Sequence, residues 1–280
     1  MSDSELDEIL DGPSFKELVD EPELLSLFTD DRREIVRAVH TLIDRCLDDG
    51  DFQGHLTDAL DTAIEDGCGE DAAVLWIVAI LAEARSQTAI HTLMRSFAME
   101  DEESLCNAAG IALLRIGVPA LEALMEWIDE EPGLDLRRQT YRLLGDCGVI
   151  EERGYIEDIK EFLRARIARE QLREPADRAL EEAIAASARL GDYEQLDNLR
   201  EIFVQGYEGR NTSIQDSIES LAENPDGIPF VPSMTPWEES YGWIFEEDLE
   251  SRRVNRPQEQ EDASSSHHHH HHCDDEDCEE

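Results

Sequence analysis

Lysine is almost absent from this sequence: only Lys16 and Lys160 occur, and arginine supplies the rest of the 24 basic residues. Long apolar runs are missing too. The longest, residues 72–82, falls well short of the roughly 20 residues that cross a bilayer, so no membrane-spanning helix is expected. The first twenty residues are acidic rather than basic and then apolar; a cytoplasmic protein is expected rather than a secreted one. No phosphate-binding glycine loop, nucleophile elbow, HExxH zinc motif or dinucleotide turn occurs, and Gly67-Cys68-Gly69 reads only as a short turn between helices. Catalysis has no anchor here, and the expectation is a protein that is not an enzyme. Cys46, Cys68, Cys106 and Cys147 are too scattered for a disulfide framework and suit small buried residues in a reducing compartment.

Negative charge, by contrast, is abundant. The 68 acidic residues leave a formal charge of −44, which repels a phosphate backbone and an anionic lipid surface alike. Neither nucleic acid nor membrane is an expected partner. Such a charge also swells a folded chain in dilute buffer, whereas at 1 M salt a Debye length of about 3 Å removes most of that repulsion. Abundant Asp, Glu and Arg beside scarce lysine resembles the proteins of salt-accumulating halophiles.

Within residues 71–128 one pattern is stated twice, at an offset of 31 residues. Ala89, Ile90, Leu93, Met94 and Phe97 align with Ala120, Leu121, Leu124, Met125 and Ile128, and upstream Val78, Ala79 and Ala82 align with Ala109, Gly110 and Leu113. The spacing is helical, and each unit reads as a helix A followed by a helix B. Helix B carries its apolar residues at i, i+3, i+4 and i+7, the stripe of a helix buried on one side. Helix A is apolar nearly all round in residues 72–82, which predicts burial on two sides. Acidic clusters, Glu70-Asp71 and Asp101-Glu102-Glu103, precede the A helices and suit the positive end of a helix dipole. Pro119 sits where a first helical turn tolerates proline.

The same pairing extends in both directions. Residues 1–30 read as an N-terminal helical cap, with a capping-box pattern at Ser14-Phe15-Lys16-Glu17. A first pair follows, with helices over residues 31–47 and around Leu56, Leu60 and Ile64. A fourth pair takes residues 134–169, with a long turn through residues 145–154, and a fifth takes residues 175–206, turning at Leu190-Gly191-Asp192. The repeat region as a whole covers residues 31–211. Residues 212–250 form a C-terminal helical cap with a proline-rich strap: a helix with Ile214, Ile218 and Leu221, an extended Ile228-Pro229-Phe230-Val231-Pro232, and an aromatic helix opened by Thr235-Pro236. That last helix, with Trp237, Tyr241, Ile244 and Leu249 on one side and Trp243 and Phe245 elsewhere, reads as a strap over the last repeat or, alternatively, as a docking peptide. Residues 251–280 are polar, acidic and low in complexity, the composition of a disordered tail.

The run Ala-Leu-Leu-Arg-Ile-Gly-Val-Pro-Ala-Leu-Glu-Ala-Leu-Met over residues 112–125 resembles the HEAT-repeat family, in particular the short HEAT-like repeats also found in phycobilisome lyases. Ala188-Arg189-Leu190-Gly191-Asp192, with Leu196 and Leu199, resembles it more loosely. The resemblance covers about residues 31–206. It implies an all-α fold, an α-solenoid of stacked antiparallel helix pairs whose B helices line a concave face, and it implies no catalytic residue. It allows a lyase-type enzyme with a pigment-like substrate as a weaker alternative.

For such a chain the expected role is a scaffold or adaptor that binds another protein. The candidate contact residues are the helix B positions off the apolar stripe: His91, Arg95, Glu122, Glu126 and Trp127. Trp127 is either an exposed hot spot or a residue packed on the next repeat. His40, His55 and His91 are isolated and lack metal-ligand spacing. Metal binding or delivery is an alternative role, through the dense tail cluster of His267, His268, His269, His270, His271 and His272 with Cys273 and Cys278. Imidazole and thiolate suit Zn, Ni or Cu. Six consecutive histidines are also the length of a purification tag, although eight further residues follow them here. Otherwise no cofactor is expected.

Overall fold

The computed structural model describes residue 16 and residues 24–29, 31–99, 101–130, 132–148, 153–173, 178–207, 212–227 and 236–245. Among these the secondary structure is entirely helical. A short 3-10 turn, Leu24–Phe28, precedes α1 (Arg32–Asp48) and α2 (Gly50–Glu65). Then come α3 (Ala72–Glu83), α4 (Ile90–Phe97), α5 (Glu103–Ile116), α6 (Val118–Asp129), α7 (Leu134–Asp146) and α8 (Arg153–Glu170). The chain continues through α9 (Arg178–Arg189), α10 (Leu196–Ile202, extended by a π turn at Phe203–Tyr207), α11 (Thr212–Glu223) and a single turn, α12 (Trp237–Ser240).

Local chemistry sets the helix ends. Asp31 caps α1 by accepting from the Arg33 amide, and Asp49 caps α2 by accepting from Asp51 and Phe52. Glu70 serves a different helix from the one that follows it: its Oε1 accepts from the Ser104 amide at 3.0 Å, so an acid ahead of α3 caps α5 of the next pair. The turns between paired helices use the left-handed backbone region, with Gly117 at φ +87° and Gly191 at φ +69°. At the equivalent turn after α3 a non-glycine, Arg85, takes φ +49°.

Packing follows from the repeated stripe. Each odd-numbered helix from α1 to α11 packs on the next odd-numbered helix, and α2 on α4 and α4 on α6 make a second set of neighbours. The aligned residues of the doubled pattern face inward: Ala89, Leu93 and Phe97 of one copy and Ala120, Leu124 and Ile128 of the other are all buried. In α3 every residue from Ala73 to Ala82 is buried, as its all-round apolar character predicts.

Two local expectations change. Gly145 lies inside α7 rather than opening a long turn, because a Cβ there would stand 2.7 Å from the Ala186 Cα; the glycine lets α7 and α9 approach. The aromatic helix is interrupted: Trp237–Ser240 makes one turn, residues 241–243 bend, Ile244 and Phe245 are helical again, and Leu249 lies outside the described residues; the segment lies on the first repeats rather than the last. Trp237 stacks edge-on against Trp76 of α3 with centroids 5.9 Å apart and against His40 of α1 at 5.3 Å. Beyond the bend at residues 241–243, Phe245 also turns inward, its ring 4.6 Å from that of Trp76. The strap thus adds a further contact to a helix that α1, α2 and α5 already cover.

Candidate interaction surface

The B-helix residues singled out from the sequence stand on α4 and α6. Leu93 and Phe97 turn into the core, which leaves His91 and Arg95 exposed on the other face of α4. On α6, Leu121, Leu124 and Ile128 are buried while Glu122 and Glu126 are exposed. Trp127 is half-buried and rests on the core. The five residues are thus divided: four side chains reach solvent and the indole packs inward.

Arg95 is engaged within the chain. Its Nη1 donates to Asp61 Oδ1 at 2.9 Å, and the other oxygen of Asp61 accepts from Thr92 Oγ1 at 3.1 Å, so one carboxylate of α2 grips α4 twice. Glu122 and Glu126 lie near Tyr155 of α8. Burial first, and then Glu122, Asp158, Cys147 and Glu126, push the Tyr155 phenol upward. Its hydroxyl has no hydrogen-bond partner among the described residues. The surface over α6 and α8 is therefore acidic with a half-buried phenol at its edge, suited to a cationic partner group.

A groove of about 660 Å³ runs between α5 and α7. Its floor is apolar at Phe97, Ile111 and Leu143, and its rim carries Glu103, Arg142 and Asp146. The half-buried Cys106 thiol sits there, donating to the Phe97 carbonyl at 3.2 Å. Burial raises the Asp146 carboxyl against the opposing pull of Arg189 and Arg142. Burial likewise pushes the thiols of Cys46 and Cys147 up to about 12, which makes them inert packing residues at neutral pH.

A buried ion network escaped the sequence reading. Glu170 is fully buried, and Arg137 Nε, Arg166 Nη2 and Arg173 Nε lie 3.4, 3.5 and 2.9 Å from its carboxylate. Tyr141 donates to Glu170 at 2.8 Å and accepts from Arg166 Nε at 3.0 Å, while Arg166 Nη1 reaches Asp129 at 3.2 Å. The cluster joins α6, α7 and α8. Elsewhere Arg164 grips the buried Asp192 with two nitrogens, and Arg115 bridges Glu83 and Ser240. A planar fork that serves several acceptors gives a physical use for arginine where lysine is scarce. The sequence signal was present in Arg166 and Glu170, four residues apart on a helix, but it does not announce burial.

Among the described residues no group of three or more His, Cys, Asp and Glu side chains is arranged to hold a metal. The tail ligands proposed from sequence, residues 267–273 and 278, lie outside the described residues. No single helix among those described is long and apolar enough to cross a membrane. No protein-family model matches the chain, and no curated protein matches it.

Proposed function

We propose that the chain is a HEAT-like α-solenoid that serves as a non-enzymatic scaffold, binding another protein through the face made by its second helices. One observation carries this reading. Successive B helices bury the residues that repeat and present to solvent the ones that differ, His91 and Arg95 on α4 against Glu122 and Glu126 on α6. A framework of constant interior and varied exterior is how repeat arrays build recognition surfaces. The acidic ground around Glu122, Glu126 and Asp158 favours an arginine-bearing partner.

The working medium in this reading is concentrated salt, because a charge of −44 is tolerated there. Helicity followed against KCl concentration tests that part: it is expected to rise with salt, and full helicity in dilute buffer contradicts it. Affinity capture from the source cells at high salt tests the function. The expected result is one stoichiometric protein partner that is lost with the Glu122→Arg/Glu126→Arg variant at unchanged helicity; retention by that variant contradicts the proposed face.

A further inference from the structure

Residues 236–245 are a short peptide seated on the side of α1, α3 and α5. A single turn such as Trp237–Ser240 is too short to be helical on its own, so its order comes from what it touches. Trp237, Tyr241, Ile244 and Phe245 are all buried, so four of the nine residues from Trp237 to Phe245 act as anchors. Their receptor is aromatic and carries basic side chains. Trp76 meets both Trp237 and Phe245, the Arg32 guanidinium lies 4.4 Å above the Phe245 ring, His40 Nε2 is 3.1 Å from Glu238 Oε1, and Arg115 donates to Ser240 Oγ at 3.2 Å. Two guanidinium groups, one of them shared with Glu83, and an imidazole thus line one groove in a chain whose formal charge is −44, and the peptide they hold reads Trp-Glu-Glu-Ser-Tyr.

The seat is also imperfect in hydrogen bonding. The Trp237 and Trp243 indole nitrogens and the Tyr241 hydroxyl are buried without a hydrogen-bond partner among the described residues. Aromatic area, about 150–250 Å² per ring, drives such docking, while unmatched polar atoms weaken it. Apolar area therefore holds the segment, and its unmatched polar groups detract from that hold.

We infer that the groove formed by Arg32, His40, Trp76 and Arg115 is a docking site for short acidic-aromatic peptide segments, and that the chain's own residues 236–245 occupy it as a displaceable cis ligand. A partner carrying a comparable Trp/Tyr/Phe segment with flanking acids would take the same seat. This surface is distinct from the B-helix face, and its failure leaves that reading untouched.

The test uses the full chain carrying Trp237→Ala and Phe245→Ala, which empties the seat and keeps its lining, and a fluorescent synthetic peptide of residues 236–245. The variant is expected to keep its helicity and bind the peptide one to one. The wild-type chain is expected to bind at least about tenfold more weakly, because its tethered segment competes at an effective concentration of millimolar order. Adding His40→Glu, a change at a half-exposed position, is expected to weaken peptide binding about fivefold. Loss of helicity in the double variant would show the segment to be an integral part of the core and overturn the inference. A folded double variant that ignores the peptide, or binds it equally well with His40→Glu, would also overturn it.

Discussion

Around α3 the interior is built from apolar area: ten consecutive residues from Ala73 to Ala82 are buried, and an aromatic strap lies against Trp76. Around α7 and α8 the same kind of helix pairing encloses Glu170, Arg137, Arg166 and Tyr141, all of them buried. Both regions answer one geometrical demand, covering a helix on more than one side. The apolar solution gains from area and asks only for shape. The ionic solution offsets its own desolvation only if every member stays in place, so it adds little net stability while making each member hard to remove. The N-terminal half should therefore respond to lost volume and the C-terminal half to lost charge.

The largest effect is expected at Glu170. Glu170→Ala leaves three guanidinium groups around an empty position and is expected to destabilise by about 3–5 kcal/mol, read from chemical denaturation. Trp76→Ala is expected to cost about 3 kcal/mol, near the lower end for a buried aromatic, because the strap can settle into part of the space. If Glu170→Ala proved as mild as a surface change, the contrast between the two regions would break.

Much of that contrast was visible in the residues beforehand, and some was not. The α3 run declared its burial because an unbroken apolar helix has no face to give to water, and the doubled stripes of α4 and α6 declared which residues point inward. The strap's location was hidden, since a Trp/Tyr/Phe segment states that it will be buried but not against what, and its partner Trp76 lies more than a hundred and fifty residues earlier. Gly145 read as a turn because glycine serves both turns and close helix contacts, and only the nearness of Ala186 separates the two. The Glu170 network was hidden for a related reason: in a chain with 68 acidic residues, one buried carboxylate looks like the rest. Of the candidate surface, exposure followed from helical periodicity, whereas the Asp61 grip on Arg95 depends on how α2 meets α4.

Smaller effects sharpen the comparison. Arg85 holds a left-handed backbone where the equivalent turn after α5 has Gly117, so Arg85→Gly is expected to stabilise by about 1 kcal/mol, measured as a higher denaturation midpoint. Loss of stability instead would mean that the arginine side chain outweighs its backbone strain. The smallest change concerns pH. Burial, with Glu70 and Asp101 nearby, raises the Glu102 carboxyl above its usual range. A group raised in the folded state binds its proton more tightly there, so it lowers stability as pH rises past its unfolded value and the loss vanishes in acid. Glu102→Gln is expected to melt on the order of a degree higher than wild type at neutral pH and to match it below about pH 4. A difference that stayed constant across this range would remove charge burial as its cause.

The most direct measurement of the proposed role is hydrogen exchange of the full chain, free and bound to the partner captured at high salt. Protection is expected on α4 and α6, centred on the amides from His91 to Arg95 and from Glu122 to Trp127. Protection confined to α1, α3 and α5, or to residues 267–280, would contradict recognition through the second-helix face.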